Sequence, residues 1–228
     1  MSWSCRRCWR RAATAPASVL RRFSFTVFGT PAETGAWGFR LEGHHLIQSI
    51  AVRDGRIVSV TPSSFSANPN RVESGTHAGL VTPKDEEALA RRLIADLAPR
   101  QQARARISDT ALNNILSYAG RERANAQAVG LPAAELTSAQ SDLMWQLIDT
   151  YAVEHLSGAL ANAQRARVRA GDRAAVHFAW YGPNTPEKAF GYRVIGQGFV
   201  IEMGSVDSAA QHLHTIYHDL GNVLGRTG

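Results

Sequence analysis

The stretch Gln-His-Leu-His-Thr-Ile-Tyr-His-Asp, residues 211–219, places three histidines and an aspartate within nine positions. In an extended strand, side chains alternate between the two faces of a sheet. His212, His214 and His218 would therefore share one face, with Ile216 between them. Imidazole and carboxylate groups are common ligands of transition metals. The stretch is therefore predicted to be a strand that carries part of a metal site.

A second cluster, Glu42-Gly43-His44-His45, lies far upstream and could meet the first cluster across a sheet. Adjacent residues of a regular strand point to opposite faces, so only one of His44 and His45 is expected to face the site. The hydrophobic residues change parity around Gly43, which suggests a one-residue bulge there. In the register without a bulge, Glu42 and His44 share a face.

The two clusters together predict a metal site with ligands from His44, His212, His214 and either Glu42 or Asp219. Two to three imidazoles with one carboxylate suit Zn, Fe(II), Mn or Cu, and this ligand set does not distinguish among them. With an open coordination position, such an ion would polarise a carbonyl, activate water or bind dioxygen. The sequence predicts neither the reaction nor the catalytic residues, so a metal-dependent enzyme and a metal-binding protein stay open.

The alternative hypothesis is a non-catalytic domain that binds a small molecule or a partner. In that case the histidines form structural hydrogen bonds within the sheet. Arg40 and Arg193 would then recognise a small anionic molecule with bidentate hydrogen bonds, and His45 is a further substrate-binding candidate.

The composition favours one folded domain over residues 23–228. The chain has 228 residues, of which 44% are hydrophobic and 19% are charged, so it can bury a sizeable core. The formal net charge is +6, but six arginines between Arg6 and Arg22 precede the first acidic residue, Glu33. The remainder is close to neutral, so no nucleic-acid partner is expected for the globular part.

Residues 1–22 are expected to form a disordered, Arg-rich tail. Arginines interrupt every apolar run, so neither a membrane span nor a secretory signal is predicted, and a cytoplasmic location is the default expectation. An organellar transit peptide and a misplaced start codon are compatible with the same composition. The only two cysteines, Cys5 and Cys8, have no second pair to complete a zinc site.

The order of predicted elements is strands, helices, strands. Residues 47–52 and 57–60 flank Asp54-Gly55, which is typical of a hairpin with a type I′ turn. Thr82 is placed to cap one helix, and Thr137 or Ser138 to cap the longest one, which Gly171 would end. The remaining predictions are a half-buried strand at 23–27, a strand at 37–41, a loop at 62–77, broken helix at 101–117, and strands at 174–180, 190–195, 199–203 and 213–217.

These runs predict an α+β fold. The N- and C-terminal strands are expected to join one mainly antiparallel sheet, and the helical middle segment to pack on one side of it. This arrangement would bring the two histidine clusters together.

Five sequence blocks resemble the domain of unknown function 3500 family: FGTP at 28–31, WGFRLEGHH at 37–45, FAW at 178–180, GYRVIG at 191–196 and HLHTIYHD at 212–219. The resemblance extends over about residues 23–225 and implies no established activity. Where the family pattern has Arg, Pro and Asp, this chain has His218, Gln197 and Val223. The resemblance also implies a copy shortened at both ends.

Overall fold

The computed structural model describes residues 23–118 and 120–222. The expectations for residues 1–22 and for Val223 lie outside this part of the chain. The described strands form one sheet in the order β1-β2-β3-β5-β11-β10-β9-β8-β6, with β4 paired to β3 and β7 to β8. Their bounds are β1 Ser24–Phe28, β2 Ala36–Gly43, β3 Leu46–Arg53, β4 Arg56–Ser59, β5 Ser63–Phe65, β6 Arg106–Ser108, β7 Leu131–Pro132, β8 His177–Tyr181, β9 Gly191–Ile195, β10 Phe199–Ser205 and β11 Leu213–Asp219.

The sheet is antiparallel except where β6 runs parallel to β8. N-terminal strands β1–β5 and C-terminal strands β8–β11 meet at the pairing of β5 with β11. This confirms the α+β prediction and the joining of the two ends of the chain in one sheet. The hairpin prediction is also confirmed, because Asp54 and Gly55 have positive φ angles of 50° and 70°, as a type I′ turn requires.

Within the described residues, four α-helices follow the N-terminal strands: α1 Lys84–Asp96, α2 Pro99–Ala105, α3 Ser138–Ala152 and α4 Gly158–Val168, with 3₁₀ turns at Ala133–Glu135 and Arg173–Ala175. Thr137 caps α3 as predicted, because its hydroxyl oxygen accepts a hydrogen bond from the backbone N–H of Gln140 at 3.3 Å. Thr82 does not cap α1, since the N-cap position is Pro83, which makes no side-chain cap bond.

Several predicted boundaries are wrong. The helix expected to continue to Gly171 is two helices, and His155 lies between them with its ring 5.4 Å from that of Phe65. The segment 101–117 is helical only as far as Ala105. The loop at 62–77 contains β5, and β1 is exposed along its whole length rather than half-buried, with Phe25 64% accessible.

The helices pack on one face of the central strands. Tyr192 of β9 and Tyr217 of β11 are fully buried there. The hydroxyl of Tyr192 lies 2.6 Å from that of Tyr151 in α3, and the hydroxyl of Tyr217 accepts a hydrogen bond from Gln164 of α4 at 2.7 Å. Alternation then places Arg193, Glu202 and His214 on the other face. In the described part of the chain, no helix is long and apolar enough to cross a membrane.

Candidate metal centre

Four histidines from two distant parts of the chain meet beside β5. His44 and His45 form the turn between β2 and β3, His212 directly precedes β11, and His214 lies in its first half. One ring nitrogen from each of the four lies within 4.8 Å of all the others. β5 lies between β3 and β11 in the sheet and brings the two pairs together.

His212 is at the centre of the closest contacts. Its Nε2 atom lies 2.9 Å from Nε2 of His45 and 3.1 Å from Nε2 of His214. A neutral ring nitrogen offers either one N–H or one lone pair. Nε2 of His212 therefore does not make good hydrogen bonds to both His45 and His214 at once. The three nitrogens can instead direct their lone pairs at one cation between them.

The surroundings favour the neutral form of three of these imidazoles, those of His45, His212 and His214. Burial, and after it the neighbouring histidines, lower the pKa of His45 and of His214 to about 4. Burial also lowers the pKa of His212, and His44 adds to this shift. A neutral imidazole has the free lone pair that a metal ligand needs.

The structure brings together three of the predicted ligands, His44, His212 and His214, and adds His45. The predicted bulge at Gly43 is wrong, because β2 and β3 pair in continuous register up to Gly43 and Leu46. His44 and His45 are turn residues, so strand alternation does not force them onto opposite faces. Both rings therefore reach the same group.

Glu42 and Asp219 lie outside the group of four. The Glu42 carboxylate is about half exposed and lies 3.6 Å from Nη1 of Arg40. Asp219 is at the far end of β11, where its carboxylate lies 3.6 Å from Nε of Arg167 and burial raises its pKa. Alternation along β11 also puts Asp219 on the opposite face from His214.

The two predicted anion-binding arginines have partners inside the protein. Nε of Arg40 donates a hydrogen bond to Oγ of Ser49 at 3.1 Å. Arg193 is 5% accessible; its Nε donates to Glu202 at 2.8 Å and its Nη2 to the carbonyl oxygen of Asn125. The guanidinium of Arg193 therefore belongs to a buried ion pair.

Sequence reasoning missed Asn114, whose side-chain oxygen lies 2.9 Å from Nδ1 of His214. Asn114 is in the irregular segment after β6, and no motif singles it out. His218, expected on the same face as the other histidines, is buried and lies 2.8 Å from the carbonyl oxygen of Ser117 through its Nε2.

The fold and the site define an α+β protein with a candidate centre of four histidines. The chain belongs to the family described as "Protein of unknown function (DUF3500)", whose model matches residues 10–223. The match covers nearly the whole chain and begins within the Arg-rich N-terminal segment. No curated protein and no solved structure gives a significant match.

Proposed function

We propose that this protein binds one divalent transition-metal ion through His44, His45, His212 and His214. The observation that supports the proposal most directly is the double contact of His212 Nε2, 2.9 Å from one imidazole nitrogen and 3.1 Å from another. Without a cation, one of these contacts lacks a proper hydrogen bond in every neutral tautomer. With a cation, both become separations between ligands of the same ion.

The distances are compatible with one ion. Metal–imidazole bonds of about 2.0–2.1 Å place two nitrogens on one ion about 3 to 4 Å apart. The ring nitrogens here lie within 4.8 Å of one another, so side-chain movements of less than about 1 Å would complete the coordination.

The ligand type favours a borderline metal. Imidazole suits Zn, Cu, Fe and Ni, whereas Mn and Mg prefer oxygen ligands. With four imidazoles and no carboxylate in the described group, Zn and Cu rank above Mn. His44 is exposed, so its side of the group is where water or a substrate would reach the ion. The ion would supply Lewis-acid chemistry there, as in a metal-dependent enzyme.

The test is metal analysis of the purified full-length chain in a Cys5→Ser/Cys8→Ser background, which removes both cysteines as competing ligands. We expect about one bound transition-metal ion per chain, and an unfolding temperature that rises with added Zn²⁺ or Cu²⁺. A His212→Ala/His214→Ala double variant should fold but lose both effects.

The matched control is His77→Ala, which removes an exposed histidine outside the group and should bind as the parent does. Metal-free protein whose unfolding temperature is unchanged by Zn²⁺, Cu²⁺, Fe²⁺ and Ni²⁺ would refute the proposal. That result would leave the histidines with a structural role.

A further inference from the structure

We infer that Asn114 is a positioning residue for the metal centre: it holds the proton of His214 on Nδ1 and thereby leaves the lone pair of Nε2 for the ion. The inference rests on the proposed metal-binding function. It assigns a role to a residue outside the group of four ligands.

The hydrogen bonds of Asn114 define the protonation of His214. The backbone N–H of Ile115 donates to Oδ1 of Asn114 at 2.8 Å, which identifies this atom as the amide oxygen. An amide oxygen only accepts. The contact of 2.9 Å between this oxygen and Nδ1 of His214 therefore requires a proton on Nδ1.

A neutral imidazole with its proton on Nδ1 has its lone pair on Nε2. Nε2 of His214 is the atom that lies 3.1 Å from Nε2 of His212. Metal-binding histidines commonly donate their other ring N–H to a carbonyl or carboxylate, which fixes the tautomer and the ring orientation. Asn114 provides this type of acceptor.

The segment that carries Asn114 is fixed to the sheet by a buried carboxylate. Glu202 of β10 is 0% accessible. It accepts hydrogen bonds from the backbone N–H groups of Leu116 and Ser117 at 2.7 and 2.8 Å, and from Oγ of Ser117 at 2.9 Å. The Arg193 guanidinium balances its charge. Residues 114–117 are therefore held against the strands next to His214.

His218 provides a second attachment, since its Nε2 lies 2.8 Å from the carbonyl oxygen of Ser117 and donates to it. His214 and His218 are four residues, or two strand repeats, apart on the same face of β11. The buried Arg193–Glu202 pair thus supports the metal centre indirectly: it fixes the position of Asn114 and does not itself contact the four histidines.

The first test compares Asn114→Leu, which has a similar shape but no acceptor, with Asn114→Asp, which keeps two acceptor oxygens. Asn114 is exposed, so both variants should fold. We expect the Leu variant to bind Zn²⁺ about 10–100-fold more weakly than the parent, and the Asp variant to bind within a few-fold of it. Equal affinity of the parent and the Leu variant would overturn the inference.

The second test does not depend on metal. In ¹⁵N NMR spectra of metal-free protein, His214 should be the Nδ1–H tautomer in the parent and lose this preference in Asn114→Leu. A proton on Nε2 in the parent would overturn the inference. If the tautomer is as expected but no metal binds, the proposed function fails while the role of Asn114 in orienting His214 stands.

Discussion

Gly204 of β10 lies directly opposite His214 of β11, and a β-carbon at this glycine would lie 2.8 Å from both the backbone carbonyl carbon and the carbonyl oxygen of Asn114. A real β-carbon essentially never approaches backbone so closely. The absence of a side chain at Gly204 therefore allows Asn114 to reach the histidine.

We predict that Gly204→Ala displaces the Asn114 segment. The variant should lose about 1–3 kcal/mol of unfolding free energy through overpacking, and its affinity for Zn²⁺ should fall by about 10-fold or more. Urea denaturation and metal titration measure the two effects. Gly198→Ala is the control, because nothing lies within 4 Å of a β-carbon built there; equal behaviour of the two variants would contradict the prediction.

His44→Ala should separate metal binding from stability. His44 is the exposed member of the group, and its removal deletes one proposed ligand but little packing. We expect the metal-free variant to unfold within about 0.5 kcal/mol of the parent. Its stabilisation by added Zn²⁺, measured by thermal unfolding, should be largely lost. Full stabilisation of the variant would show that His44 is not a ligand.

Arg193→Met should be strongly destabilising, because it leaves the fully buried Glu202 carboxylate without its ion-pair partner. The expected loss is about 3–5 kcal/mol in urea denaturation. Adding Glu202→Gln should recover part of that loss, since the double variant has no unpaired buried charge. If the two substitutions are simply additive, the ion pair does not have the structural role assigned to it.

The stability of the protein should fall with acidity, in part because of His218. Burial lowers its pKa from the usual 6.5, despite the opposing effects of the Ser117 carbonyl, Glu122 and Glu202. The unfolded chain therefore takes up a proton at higher pH than the folded chain does. The contribution of His218 is complete above pH 6.5 and is lost as the pH falls through its lower folded value.

His218→Gln keeps a donor for the Ser117 carbonyl oxygen but does not titrate. We expect urea midpoints between pH 7.5 and pH 5, measured without metal, to change less for this variant than for the parent. The lowered pKa values of His45, His212 and His214 act in the same direction in both proteins. The difference between the two pH profiles therefore isolates His218, and parallel profiles would exclude its contribution.

Short sequence motifs correctly predicted one turn and one helix cap, which depend on interactions between neighbouring residues. Asp54-Gly55 has positive φ at both positions, and Thr137 has its capping bond, because turns and caps depend on a few neighbouring residues. The three-residue strand β5 was missed because a short polar stretch has no visible periodicity. The break between α3 and α4 had one available signal, Ser157-Gly158, where Gly158 has a φ of 56°.

The convergence of the histidine clusters was predicted correctly, but the group that the structure forms differs from the predicted ligand set. Strand alternation excluded His45 because the turn at His44-His45 was not recognised. The two predicted carboxylates lie outside the histidine group for a different reason. Glu42 and Asp219 were chosen by proximity in sequence, whereas the structure places them beside arginines. Asn114 could not be predicted, because its role depends on a tertiary contact with His214, which is 100 residues away in the sequence.

The position of β5 has a consequence for how the molecule opens. Within the described sheet, β3 reaches β11 only through the three residues of β5. His44 and His45 lie on one side of this narrow junction, and His212 and His214 on the other. An ion held by all four would act as a cross-link between the two halves of the sheet. Amide hydrogen exchange in β2 and β3 should then slow as metal is added, because bound metal raises the free energy of opening. The increase is up to about 2.7 kcal/mol when the free metal concentration is 100 times the dissociation constant.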